Sequence, residues 1–413
     1  MTVSTNDFEA EAVAVLADLR RCVALVLGDL QPCVRASELS TVLNLDRSLG
    51  WKLWTLAQSG ASSPSPKHVP GRNGFQSFLD AALRNGASAA HVDEARRAFG
   101  RFERLSKEHA RDRASVEIML GALTTEGRSR LELSLRRAAF RANAHFLGVQ
   151  CDTLYQADVV APDGAGMMPR VVRVRGHYGL TRMRSGVSWV LSRSTLVTPS
   201  GKTVAYRRRA LSEAGVWDDD GHVGGTGTGA ALVGGPAPVA AAFSSTPTPV
   251  VVRRIVDGVV FQDELEPGPV GRASAIDVVT AEIVDKTPEH ADAHDAVTAR
   301  ISTPCELLCF DVLLHESLAS NGDPRLEVFT TIHSDVPYTL GSRDLLQTME
   351  RFEALGSPDR AAPVAEVPRQ AGLVDWMLGS IGERASAFRL YRLRMRFPPV
   401  PALAAATYRL RAT

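Results

Sequence analysis

A chain of 413 residues with 45% hydrophobic and 23% charged residues is a soluble globular protein long enough for two or three cores, which excludes a disordered or fibrous chain. Its formal net charge of +1 conceals an asymmetry: +4 over residues 1–150, +7 over 151–210, −16 over 211–380 and +6 over 381–413. Five cysteines do not suggest a disulfide framework, and the apolar run at 23–27 is far shorter than a membrane span, so a cytoplasmic protein with no membrane partner is expected.

In chain order, residues 7–30 carry Phe8, Ala12, Val15, Leu16, Leu19, Val23 and Leu27 at helical spacing and predict a first helix. Two short helices follow. Leu39, Val42 and Leu43 form the apolar face of one. Asn44 suits the left-handed backbone of a tight turn, and Asp46 suits the N-cap of the next helix, which bears Leu49, Leu53 and Leu56. Arg47, Ser48 and Lys52 fall on that helix's other face, where they can reach phosphates or base edges. Trp51 and Trp54 read as core anchors against the first helix. Gly50 costs about 1 kcal/mol of helix propensity relative to alanine, which makes sense where another surface comes close.

The run Glu38-Leu39-Ser40, then Leu43-Asn44-Leu45-Asp46, resembles the helix-turn-helix of bacterial transcription regulators over residues 34–53. The resemblance implies a tri-helical DNA-binding unit at 1–60. Double-stranded DNA is the implied partner, with Arg47, Ser48 and Lys52 reading the major groove and Arg35, Lys67 and Arg72 as further DNA-binding residues. Residues 60–74 read as loop, where a β-hairpin wing often sits, although flanking strands are lacking.

Helical spacing resumes at 75–84, 90–109, 114–123 and 126–146, a helical linker or dimerisation region over 75–148. These helices suit either a homodimer reading two half-sites or packing within their own chain. Arg136, Arg137 and Arg141 on the last of them could clamp phosphates, but a solvated face is the plainer reading.

From residue 149 the period changes to two. Strands are predicted at 153–160, 170–178, 187–191, 203–208, 250–256, 259–265, 275–284, 297–301, 306–315 and 326–333. Residues 212–249 are rich in Gly, Ala, Thr and Pro and read as a long flexible insertion. Helices are expected at 343–355 and 367–381, then a final hairpin from 388–396 and 402–410. The fold class is α+β: an all-α N-terminal domain, then a mainly antiparallel β-rich sandwich or barrel at 149–413 with two helices near its C-terminal side.

Within 289–295, His290, Asp292 and His294 are weak metal-ligand candidates, and a polar loop is the more ordinary reading. Cys305 and Cys309 read as buried thiols on one face of a core strand. The glycines at 225, 227 and 229 lack the strand, helix and lysine of a phosphate loop. No catalytic constellation or cofactor emerges from the spacing. A DNA-binding transcriptional regulator with a C-terminal ligand-sensing or assembly domain is therefore expected. A structural or protein-interaction module that oligomerises through the β-rich region stands second, and a metal-dependent enzyme using the 289–295 cluster third.

Overall fold

In the computed structural model the described residues are 5–30, 35–58, 68–109, 115, 119, 125–162, 169–195, 207–212, 215–218, 232–236, 239–256, 260–285, 296–318, 322–333 and 340–408. The architecture is mixed α and β, and the chain divides into a helical unit, Met1–Ser134, and a β unit, Leu135–Thr413.

The helical unit is built on α1 (Thr5–Gly28), α2 (Ala36–Val42), α3 (Arg47–Gln58), α4 (Arg72–Arg84) and α5 (Ala89–His109). One core joins them. Leu16, Leu19 and Val23 of α1 meet Leu39, Leu53 and Leu56, and Phe75 of α4 stacks on Phe99 of α5 with centroids 4.2 Å apart. Each helix offers the core an apolar stripe at helical spacing, so burial holds all five together. A sixth helix, α6 (Thr125–Leu147), runs into the β unit.

The β unit opens with β1 (Val149–Pro162), β2 (Pro169–Arg182), β3 (Trp189–Thr195), β4 (Arg207–Ser212), β5 (Gly215–Asp218) and β6 (Leu232–Pro236). It continues with β7 (Val251–Val256), β8 (Val260–Leu265), β9 (Ile276–Asp285), β10 (Ala296–Ile301), β11 (Cys305–His315) and β12 (Arg325–Thr330). Last come β13 (Leu345–Leu346), β14 (Glu353–Gly356), helix α7 (Gln370–Gly379), β15 (Phe388–Arg396) and β16 (Ala402–Thr407).

Among the described residues the strands form three sheets. The large one has the order β14-β15-β11-β1-β2-β9-β4-β5, antiparallel apart from the β1–β11 pair. The other two are β10-β16-β12-β13 and β3-β8-β7-β6. One face of the large sheet packs on both smaller sheets through residues such as Leu154, Leu308, Phe310 and Leu393. Its other face, with Val159, Val174, Ile283 and Leu313, is covered by Leu373 and Met377 of α7. A side-chain period of two on strands with both faces buried produces this three-layer arrangement.

Four expectations need correction. Residues 343–355 are not a helix: after a single turn at Ser342–Asp344 the chain is extended through β13 and β14, because those segments complete sheet edges. Strands β15 and β16 do not form a hairpin. Phe397, at φ 46°, turns the chain, and β15 joins β11 while β16 enters another sheet between β10 and β12. The stretch 212–249 is not simply linker, since it contributes β5 and β6. Cys305 and Cys309 are both buried, but they belong to the cores on opposite faces of the large sheet.

Candidate functional site

Local backbone chemistry sets up the α2–α3 pair. The Arg35 N–H donates to the Glu38 carboxylate at 3.2 Å and starts α2. Asn44 takes φ 49°, in the left-handed region that asparagine tolerates, and the Leu45 N–H returns to the Ser40 carbonyl at 2.9 Å. Asp46 then caps α3, accepting the Ser48 N–H at 2.8 Å. Hydrogen bonds from the Ser48 side chain and from the first backbone N–H groups of α3 hold its carboxyl below the usual range. Gly50 is where α3 meets α2: a Cβ there would lie 2.0 Å from Ser40 Oγ.

Leu53 and Leu56 point into the core, and Leu49 and Trp54 pack partly against it. The outward face is different. At 3.6 residues per turn, Arg47, Trp51 and Thr55 form one row, with Ser48 beside it and Lys52 toward the edge. Trp51 is therefore no core anchor. It is 50% exposed at the middle of this face, its ring edge-on to His68 with centroids 5.0 Å apart. Arg47 and Ser48 are exposed and Lys52 is half-buried. No acidic residue occurs in α3, so its outward face is cationic.

The remaining predicted residues do not gather on this face as one group. Arg35 is exposed at the start of α2. Arg72 is held by Glu103, which accepts Nε at 2.8 Å and Nη2 at 2.7 Å, so its charge is already matched. Lys67 lies outside the described residues, as do His290, Asp292 and His294. Among the described residues no group of three His, Cys, Asp or Glu side chains could hold a metal ion, and no helix is long and apolar enough to cross a membrane.

The β unit contains a polar patch that sequence reasoning missed. Gln156 and Asp158 of β1, Arg173, Arg175 and His177 of β2, and Thr280 and Glu282 of β9 share one face of three neighbouring strands. Their register pairs are Gln156–Arg175, Asp158–Arg173, Arg173–Glu282 and Arg175–Thr280. This face is buried, with Asp158 at 0% and His177 at 2% exposure. Asp158 accepts both Nε and Nη2 of Arg173 at 2.7 Å. On the third sheet, Asp263 accepts Nε of Arg253 at 2.7 Å and the Ser192 hydroxyl at 2.6 Å. Glu282 is shared more loosely, 3.5 Å from Arg175 and 3.8 Å from Arg253. Burial, reinforced by the Arg175 charge, pushes the His177 imidazole down to about 3, so it is neutral at physiological pH.

The alternation Arg173-Val-Arg175-Gly-His177 reads in isolation as a strand with one wet face. Its burial becomes visible only once acidic and amide partners arrive from β1 and β9. On the opposite face, Asp311 accepts Nε and Nη2 of Arg392 at 2.7 and 2.9 Å, the Tyr155 hydroxyl at 3.1 Å and Nε2 of Gln370 at 3.1 Å. Arg392 Nη1 also donates to the Ala362 carbonyl at 2.7 Å, so this network fastens α7 and the segment before it to the sheet.

The chain matches no protein-family model, no curated protein and no solved structure. Two places are therefore singled out by their own chemistry: an exposed cationic helix face on the helical unit, and a buried polar seam between two sheets of the β unit.

Proposed function

We propose that the helical unit binds double-stranded DNA, with α3 in the major groove, and that the protein is a transcriptional regulator whose β unit senses a ligand or mediates assembly. The outward face of α3 carries this reading. Arg47 and Lys52 make no ion pair or hydrogen bond among the described residues, and α3 contains no carboxylate to neutralise them. The Asp46 cap and the left-handed Asn44 turn hold α3 against α2 while leaving that face clear. A capped helix offering two unmatched cations, a hydroxyl and an aromatic ring has the chemistry to contact phosphates and base edges together. A two-fold dimer would present two copies of α3 to half-sites about 34 Å apart.

Fluorescence anisotropy against a pool of random duplexes, across a salt series, tests the proposal. Removing both cations in R47A/K52A is expected to weaken binding and to flatten the slope of log K against log salt by about 2, roughly one per lost phosphate contact. No binding at low salt, or the same affinity and slope in the variant, refutes it. A second reading rests on Trp51 and Val42, which are 50% and 41% exposed: an aromatic anchor on an otherwise small surface also suits a protein partner. Absence of DNA binding, combined with a partner whose capture requires Trp51, would favour that alternative.

A further inference from the structure

Two cysteines far apart in the sequence stand side by side in the large sheet. Strands β1 and β11 run parallel, and their register sets Cys151 opposite Cys305. Each is a free thiol with 1% exposure, and both belong to the core on the face that packs against the smaller sheets. Paired strands lie about 4.7–4.9 Å apart, inside the Cα separation of about 4.4–6.8 Å that a disulfide spans. The backbone holds the two ends together, since the Cys151 N–H donates to the carbonyl of Pro304, the residue before Cys305, at 2.9 Å.

The two thiols also interact. Burial, and after it a hydrogen bond with the Cys305 thiol, push the Cys151 thiol well above its ordinary range. The juxtaposition is specific to this pair. Cys309 sits four residues further along β11, but its register partner is Tyr155 and it belongs to the core on the opposite face. Cys22 lies in the helical unit, and Cys33 falls outside the described residues. A thiol as buried and as weakly acidic as Cys151 is a poor nucleophile, and the closed β unit keeps reagents from both cysteines. They are reachable while β1 and β11 are still coming together.

We propose that Cys151 and Cys305 form a redox-dependent clamp: a disulfide that closes between β1 and β11 when the β unit folds in the presence of a small-molecule disulfide. One cysteine thiolate attacks a sulfur of the reagent, forming a mixed disulfide and releasing the first reduced thiol. The thiolate of the other cysteine then attacks the protein sulfur of that mixed disulfide, which forms the Cys151–Cys305 bond and releases the second. The reagent gains two electrons and, in all, the two protons that the cysteines lose. The bond closes a loop of about 150 residues, so its constraint falls mainly on the unfolded chain. In reducing surroundings the β unit folds as the dithiol of the structure. The clamp belongs to the β unit and stands whether or not the helical unit binds DNA.

The test refolds the full chain from urea in parallel, once with reduced glutathione alone and once with a mixture of reduced and oxidised glutathione. Remaining thiols are alkylated, and the unreduced chain is digested with trypsin and a glutamate-specific protease, whose cut after Glu306 separates Cys305 from Cys309. Mass spectrometry of the oxidised sample is expected to show Cys151 joined to Cys305. Its melting temperature should stand about 5–10 °C above that of the reduced sample, a difference that C151A and C305A each remove. Already folded, reduced chain placed in the same mixture without urea should form the link at least about tenfold more slowly. Absence of the link after oxidative refolding, Cys151 joined to Cys309 or carried only as a glutathione adduct, or equal melting of linked and reduced chains overturns the proposal. Equal rates of linkage with and without urea would overturn closure during folding.

Discussion

Alanine at position 50 sets two effects of opposite sign against each other. In an unobstructed helix the replacement of glycine gains about 1 kcal/mol of helix propensity. Here the new Cβ would lie 2.0 Å from Ser40 Oγ, 3.1 Å from Ser40 Cβ and 3.3 Å from Ser40 Cα. Rotating the serine clears the first contact at the expense of its hydrogen bond to the Ala36 carbonyl. The other two contacts belong to atoms fixed to the α2 backbone, so α2 has to move. Overpacking of this kind costs about 1–3 kcal/mol. G50A is therefore expected to destabilise the helical unit by about 1 kcal/mol net, lowering its melting temperature by about 3 °C. Urea titration followed by far-ultraviolet circular dichroism measures it. In an S40G background, where the obstruction is gone, the same alanine should become neutral or stabilising. A neutral or stabilising G50A in the native background, or an unchanged cost beside S40G, would refute the close approach of α2 and α3.

Other perturbations follow from the same geometry. Asp311→Asn removes the carboxylate opposite the nearly buried Arg392 and should cost about 3–5 kcal/mol, whereas the joint D311L/R392M replacement should cost less; urea midpoints of the β unit compare them. His177 binds a proton near 6.5 in the unfolded chain but only near about 3 in the fold. Acid therefore favours the unfolded chain: the neutral-ring contribution is intact above about pH 6.5 and is lost progressively as pH falls toward 3. H177N should consequently show a shallower loss of stability between neutral and mildly acidic buffers, and an identical decline would contradict the buried neutral imidazole. Arg72→Ala should leave DNA affinity and its salt slope unchanged, because Glu103 already matches that charge; a loss comparable to R47A/K52A would place Arg72 at the DNA.

What could be read from the chain beforehand depended on the range of the forces involved. Asn44, Asp46 and Gly50 were legible because a tight turn, an N-cap and a close helix crossing each act within a few residues. Trp51 was misread: apolar character alone sent it inward, although its place in the row with Arg47 and Thr55 sets it outward. The strands of the β unit announced themselves by alternation, but their partners did not. Leu345, Leu346, Met349, Phe352 and Leu355 carry helical spacing, yet sheet-edge pairing and the packing of Phe352 on Phe310, at 5.7 Å, draw them into extended structure. The buried polar seam escaped sequence reading for a related reason. Polar residues at every second position of β2 signal water unless another polar sheet face covers them, and the covering Arg253 and Asp263 lie some eighty residues further along the chain.

The position of β16 bears on synthesis. It fills the middle of its sheet, hydrogen-bonded along one side to β10 and along the other to β12. A ribosome delivers β10 and β12 well before the strand that separates them. Until residue 407 has emerged, both must hold open backbone edges beside an apolar layer that lacks its alanine-rich centre. Joining β1 to β11 across some 150 residues of intervening chain adds a slow loop closure to that interval. The nascent β unit thus passes through a stage with unsatisfied strand edges, in which pairing with a neighbouring chain competes with completion and chaperone protection matters most.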